Sequence, residues 1–293
     1  MAKRLFGILA ALLLLVSCSS GRYARGLTTE EIREKYKDYN GTVDAITFPS
    51  GERHIAFRRF TVYLPPSYYE DTTRRYPVLY LLHGARGNEI TWMDWGNAYG
   101  NLDSLVRKGL AKEFILVTPN MNRYFSEKDY RDGRAVNAVR AFFLLNGEAE
   151  RHFENVIHHT DSLFRTIPEK HGRAIAGMSS GALQSIYLSA NHPDWFDYVG
   201  LFSPYAYPTA SALTHWDVYG RIWHKLRRQF EVPPEDYHIM IGTADFFYPH
   251  MRIFDRRLTR KGYNHILTIV PGGHEWYNWE PFLTWFCQEI FQD

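Results

Sequence analysis

From about residue 42 the chain alternates between two spacings of apolar side chains. "RRFTVYLP", "YPVLYLLHG", "EFILVTPN", "GRAIAGMS", "DYVGLFSP", "DYHIMIGT" and "HILTIVPGG" are short runs rich in β-branched and aromatic residues, bounded by Gly, Pro or Asn, and each predicts a strand. Between them apolar residues recur three or four positions apart: Leu102, Leu105 and Val106; Phe153, Val156, Ile157, Leu163 and Phe164; Leu183, Ile186 and Tyr187; Ile253, Phe254 and Leu258; Phe282, Leu283, Phe286 and Ile290. These spacings predict helix faces. Strands alternating with helices imply an α/β domain, a mainly parallel sheet covered on both sides. Ligands of such sheets lie beyond the carboxyl ends of the strands.

The first 41 residues read differently. Lys3-Arg4 precedes the apolar run "LFGILAALLLLV", then "LVSC" and a polar stretch; the run has signal-peptide length and falls short of the roughly 20 residues of a membrane span. "LVSC" resembles the bacterial lipobox, so Cys18 is expected to carry a lipid anchor on an exported protein. The expected organisation is a signal over 1–18, a tether with a short, mostly exposed helix ("TTEEIREKYKDYNG") over 19–41, and one domain over 42–293. Cleavage before Cys18 leaves Cys287 as the domain's cysteine, with no intramolecular disulfide partner.

Composition fits one large core: 293 residues, 45% hydrophobic and 16% aromatic. The formal net charge is +2, and the doublets Arg58-Arg59, Arg74-Arg75 and Arg227-Arg228 are scattered. No basic face results, which argues against nucleic acid as a partner.

One predicted strand-to-helix corner carries chemistry. "RAIAGM" leads into "SGALQSIYLSA", so Ser179 stands between Gly177 and Gly181 on the ligand-facing edge. G-x-S-x-G at such a corner is a nucleophile elbow, in which small neighbours let the backbone turn sharply and present the hydroxyl. A serine needs a base, and the base an acid, in the chain order Ser, Asp/Glu, His on this kind of sheet. Asp245 falls just past the strand ending near Gly242, and His274 just past the one ending near Pro271. Other groups fit less well. His238 opens a strand, His250 enters a helix and His265 precedes a strand; Asp236 precedes its strand, Asp255 lies in a helix face and Glu275 is too near His274.

Two backbone amides must also face the developing oxyanion. One is expected from Ser180, after the nucleophile, and the other from Ala85 in "YLLHGARG", with His83 holding that loop. Trp92, Trp95, Trp276, Trp279 and Tyr124 fall near the active edge, where rings can stack on a sugar or a phenolic acyl group. Arg86 and Arg123 offer positive charge there. Metal chemistry finds little support: His152 and His158-His159 lack the i, i+4 spacing of a zinc helix, and His274-Glu275 lacks the second histidine of H-E-x-x-H.

Five blocks, "FTVYLPPSYYEDTTRRYPVLYLLHGARG", "TWMDWGNAYGNLDSLVRKGLAKEFILVTPN", "RTIPEKHGRAIAGMSSGALQSIYLSANHPDWFDYVGLFSP", "IGTADFF" and "GGHEWYNWEPFL", resemble in order the esterases related to esterase D. That group includes carbohydrate esterase family one, with its feruloyl and acetylxylan esterases, and is related to enterochelin esterases and mycolyltransferases. The resemblance runs from about residue 42 to the C-terminus. It implies an α/β-hydrolase fold, Ser179 as nucleophile, Asp245 as acid, His274 as base, the Ala85 and Ser180 amides as oxyanion hole, and no cofactor. Two departures stand out: Ala182 replaces a second glycine after the elbow, and residues 121–152 match less well, as a divergent wall of the pocket would.

The resulting expectation is a serine carboxylic-ester hydrolase working through an acyl-enzyme, exported and membrane-anchored by lipid alone, removing feruloyl or acetyl groups from plant polysaccharide fragments. The alternatives are a siderophore trilactone esterase, which calls for cations in the pocket, an acyltransferase, and a non-catalytic sugar-binding lipoprotein.

Overall fold

The computed structural model describes residues 24–135, 145, 147–206 and 215–292. Cys18 and the expected export signal lie outside the described residues. Among those described, no helix is long and apolar enough to cross a membrane.

Eight strands form one sheet: β1 (Thr42–Pro49), β2 (Phe57–Leu64), β3 (Val78–Leu82), β4 (Ile115–Pro119), β5 (Arg173–Met178), β6 (Tyr198–Phe202), β7 (Asp236–Gly242) and β8 (Ile266–Val270). Their spatial order is β1-β2-β4-β3-β5-β6-β7-β8. β1 and β2 pair antiparallel, as do β2 and β4, and every later neighbour is parallel. All seven expected strands are present; β1 is the addition.

The helices that position the site are α1 (Thr29–Lys35), α2 (Thr91–Gly96), α3 (Ala98–Arg107), α4 (Phe153–Leu163), α5 (Ser180–Asn191), α6 (Ile222–Gln229), α7 (Tyr248–Arg260) and α8 (Trp276–Glu289). The alternating sides of each strand feed two cores. Val78, Tyr80 and Leu82 of β3 join one core with residues of α4, α5, α6 and α7. Leu79 and Leu81 join the other, with α1, α2, α3 and α8. Burial on both faces follows from the near-continuous apolar text of the central strands. α5 is enclosed nearly all round, and its hydroxyls stay satisfied: Ser185 Oγ donates to Gly181 O at 2.9 Å and Ser189 Oγ to Ser185 O at 2.8 Å.

The expected tether ends earlier than residue 41. From Ala24 on, the chain is part of the packed unit: Ala24 N–H donates to Arg86 O, Gly26 N–H to Tyr130 O, and Ile32 of α1 is fully buried. A Thr28–Glu31 capping box starts α1. The helix ends at Lys35, with Ile32 and Tyr36 both buried.

Candidate active site

The turn from β5 into α5 holds Ser179 at φ 55° and ψ −116°. An L-residue with a side chain resists this conformation, at a cost of about 1–3 kcal/mol, and such outliers persist where the surroundings over-determine them. Here they do. A Cβ on Gly177 would lie 2.6 Å from the Gly181 backbone, and one on Gly181 would lie 2.5 Å from Leu82 O. The two glycines therefore let the elbow close on itself and on the end of β3. Ser179 N–H donates to Phe202 O at 2.9 Å, which ties the corner to β6.

Two neighbouring strand ends bring the partners. Asp245 follows β7 and is buried; its Oδ1 accepts from Phe247 N–H at 2.8 Å and its Oδ2 lies 2.8 Å from His274 Nδ1. A carboxylate only accepts, so Nδ1 carries the proton and Nε2 has a lone pair to offer. That Nε2 lies 2.9 Å from Ser179 Oγ. Asn278 of α8 holds the loop before His274, donating to Gly273 O at 2.9 Å. Around the imidazole stand Phe246 at 4.4 Å, Trp279 at 4.9 Å and Phe247 at 5.3 Å between ring centroids. The order Ser, Asp, His thus converges in space, over 95 residues of chain between its ends.

The other histidines and acids considered stand elsewhere. His265 Nε2 is 3.1 Å from Asp255 Oδ1, His238 is 3.9 Å from Asp236, and Glu275 Oε1 accepts from Gly273 N–H.

The two expected amide donors sit where β3 meets the elbow. Ser180 is the first residue of α5, where the N–H has no partner in the helical ladder. Ala85 is exposed in the turn closed by Gly87 N–H to Gly84 O. Buried side chains fix that turn from beneath. His83 Nδ1 donates to Gly84 O at 2.8 Å, and its Nε2 accepts from Met121 N–H at 3.0 Å. Burial holds the His83 imidazole down at about 4, neutral near pH 7. Behind it Glu89, fully buried, accepts from Asn120 Nδ2 at 2.5 Å and from Tyr130 OH, and pairs with Arg59 Nε at 3.1 Å. Asn122 Nδ2 donates to Gly87 O at 2.6 Å.

Of the five aromatic residues expected near substrate, three are buried. Trp92 is 0% exposed and spends its indole N–H on Leu82 O at 2.9 Å, because α2 packs against the sheet on that face. Tyr124 is 2% exposed, roughly parallel to Phe57 and edge-on to Tyr130. Trp279 is likewise buried, with its N–H on Ser203 Oγ. By contrast Trp95 is 69% exposed and meets the half-buried Trp276 at 6.1 Å, and Trp276 meets Trp279 at 5.3 Å. Arg86 is half-buried with φ 65°, and Arg123 Nε pairs with Glu52 at 2.6 Å. Glu52, Glu148 and His152 lie close enough to share an ion, yet Glu52 is already neutralised by Arg58 and Arg123.

Sequence reasoning missed Phe246, Glu89 and Ser203. Phe246 had a signal, its place beside Asp245. Glu89 and Ser203 had none, since their partners are remote in the chain.

Comparison with known proteins gives the family and the fold. The family described as "Putative esterase" matches residues 56–286. The chain is 32% identical over 262 residues to an endo-1,4-beta-xylanase/feruloyl esterase of Xylanibacter ruminicola, covering 87% of this chain but 32% of that protein; the chain thus spans about a third of that relative. Among solved structures, a ferulic acid esterase of Anaeromyces mucronatus aligns with TM-score 0.65 at 24% identity, covering 94% of this chain and 97% of that one. An S-formylglutathione hydrolase of Staphylococcus aureus aligns with TM-score 0.63 at 18% identity, covering 84% and 97%. Both share the α/β-hydrolase architecture.

Proposed function

This chain belongs to the esterase family that matches it over residues 56–286, and from that premise we propose that it is a serine hydrolase of feruloyl esters on plant polysaccharide. The observation that carries the reading is the unbroken relay from Asp245 through His274 to Ser179, each link 2.8–2.9 Å long. Similarity to the Xylanibacter ruminicola xylanase/feruloyl esterase supports the acyl group and the polymer.

In the proposed mechanism His274 Nε2 takes the proton of Ser179 Oγ as the oxygen attacks the ester carbonyl. The Ala85 and Ser180 amides stabilise the oxyanion. His274 then gives the proton to the leaving alcohol, which departs as the feruloyl-enzyme forms. Water, deprotonated by the same imidazole, attacks that ester; the imidazole returns the proton to Ser179 Oγ as its bond to the acyl carbon breaks, and ferulate leaves. The leaving alcohol exits on the His274 side, so the ring path Trp279, Trp276, Trp95 runs outward from where a sugar would stand. Trp95 and Trp276 are the proposed sugar-stacking pair, with Arg86 beside the oxyanion turn. We further propose, from Lys3-Arg4, the apolar run and "LVSC", that the protein is exported and lipidated at Cys18.

The test compares wild type with Ser179→Ala on methyl ferulate, 4-nitrophenyl acetate and a catechol trilactone. The expected result is turnover of methyl ferulate that Ser179→Ala lowers by about four to six orders of magnitude. Equal rates in the two proteins, with no labelling of Ser179 by a fluorophosphonate, would overturn the reading.

A further inference from the structure

Ser203, the residue after β6, has φ 51°. It is a non-glycine residue in the left-handed region, followed by Pro204, which itself disfavours helical geometry in the residue before it. Two strained serines therefore end adjacent strands, Ser179 after β5 and Ser203 after β6. The first has a task in the proposed chemistry; the second is fully buried. Its N–H continues the sheet by donating to Met240 O at 2.8 Å, and its Oγ accepts the Trp279 indole N–H at 3.0 Å.

Trp279 and Phe247 are buried walls of the His274 site, and Trp279 is the nearer. Its ring meets the imidazole edge-on, at 89° and 4.9 Å. Phe246, against another side of that imidazole, is 37% exposed and thus a softer boundary. During turnover His274 Nε2 must pass a proton from Ser179 Oγ to the leaving oxygen while Nδ1 stays on Asp245. Ring tilt in that step is limited by what the imidazole packs against. Trp279 can limit it only if its own ring is held, and the indole N–H bond to Ser203 Oγ does that. An alanine or a glycine at 203 would leave this N–H without its acceptor.

We propose that Ser203 is a positioning residue for the esterase reaction, acting through Trp279 to hold the His274 imidazole between Asp245 and Ser179. The inference rests on the triad reading above. The strained backbone of Ser203 is the conformation in which Oγ meets the indole N–H at the point where β6 ends.

Two substitutions separate position from stability. Ser203→Ala loses the acceptor and keeps a Cβ in the strained conformation, whereas Ser203→Gly loses the acceptor and removes the strain. We expect Ser203→Ala to lower Tm and Ser203→Gly to recover most of that loss. Both should lower kcat on methyl ferulate about tenfold with KM changed less than twofold, because misplacement of a reacting group acts on the chemical step. The downfield proton resonance of His274 Nδ1–H should shift or broaden in both. In a Trp279→Phe background, which lacks the N–H, adding Ser203→Gly should change kcat by less than twofold.

A merely structural serine gives a different pattern: kcat follows Tm, so Ser203→Gly regains the activity that Ser203→Ala loses, and the resonance stays in place. That result, or wild-type kcat in Ser203→Gly, overturns the proposal. If wild-type protein shows no Ser179-dependent turnover at all, the triad reading fails, and this inference with it; activity in wild type with unchanged kcat in the glycine variant sinks this inference alone.

Discussion

The Asp245 carboxylate meets the Phe247 amide and His274, and both contacts fix direction as well as charge. An Asn at 245 preserves shape, but its NH₂ can face Nδ1 and turn the imidazole to the wrong tautomer. Asp245→Asn should therefore lower kcat by about 10³- to 10⁴-fold with little change in folding. Circular dichroism and steady-state kinetics on methyl ferulate check both halves; a loss under tenfold would mean that the tautomer is set by something else. The outer aromatic pair makes a different kind of prediction, because Trp95 is exposed and is linked to His274 through Trp276 and Trp279. Trp95→Ala should raise KM for a feruloylated xylo-oligosaccharide about three- to tenfold, or about 1 kcal/mol, and leave KM for methyl ferulate unchanged. An equal effect on both esters would place the ring's role in folding and not in sugar contact.

At the level of elements, the elbow is a packing problem solved by two absent side chains. A methyl at 181 would have to enter between α5 and the carbonyls of Leu82 and His83, where backbone cannot yield easily. Gly181→Ala should cost about 1–3 kcal/mol of stability. It should also push the Ala85 turn away from the Ser180 amide, lowering kcat more than stability loss explains. Thermal melts with single-turnover kinetics test this; full activity in the folded variant would place the oxyanion donors elsewhere. Such local requirements are what made the site readable. Gly177 and Gly181 advertise the elbow, and Asp245 and His274 follow Gly242 and the Pro271 stretch, where strands end. β1 was not readable in the same way: its Thr42 and Asp44 alternate with buried Val43 and Ala45, and a half-exposed edge strand writes a weaker apolar run. Trp92, Tyr124 and Trp279 misled for a further reason. Sequence places a ring near an edge of the sheet, but which way it faces depends on contacts such as Trp279 with Ser203, 76 residues apart.

Across the whole molecule, acid stability should be governed first by histidines. Burial holds His83 at about 4, against an ordinary value of 6.5, and chiefly by burial also lowers His192 and His238. Between the folded and unfolded values the unfolded chain binds a proton that the folded chain refuses. Stability therefore falls as pH drops from about 6.5 to 4, by up to about 1.4 kcal/mol per pH unit for a single such group. Carboxylates act in a lower window. Arg131 holds Glu31, and Arg151 holds Asp217, at about 2, so their contributions are present above their ordinary values of 4.5 and 3.8 and are lost as pH falls toward 2. Tm should thus decline as pH falls from 6.5 to 4, ahead of most of the carboxylate loss. His83→Gln, which keeps a polar side chain but cannot titrate, should show a shallower decline over that range in differential scanning calorimetry; an unchanged slope would shift the acid sensitivity to His192 and His238. Because His83 spans the Gly84 carbonyl and the Met121 amide, the same proton that destabilises the fold would also release the Ala85 turn. Acid inactivation and acid unfolding should then share this histidine, with activity lost reversibly at a pH where the rest of the sheet is still folded.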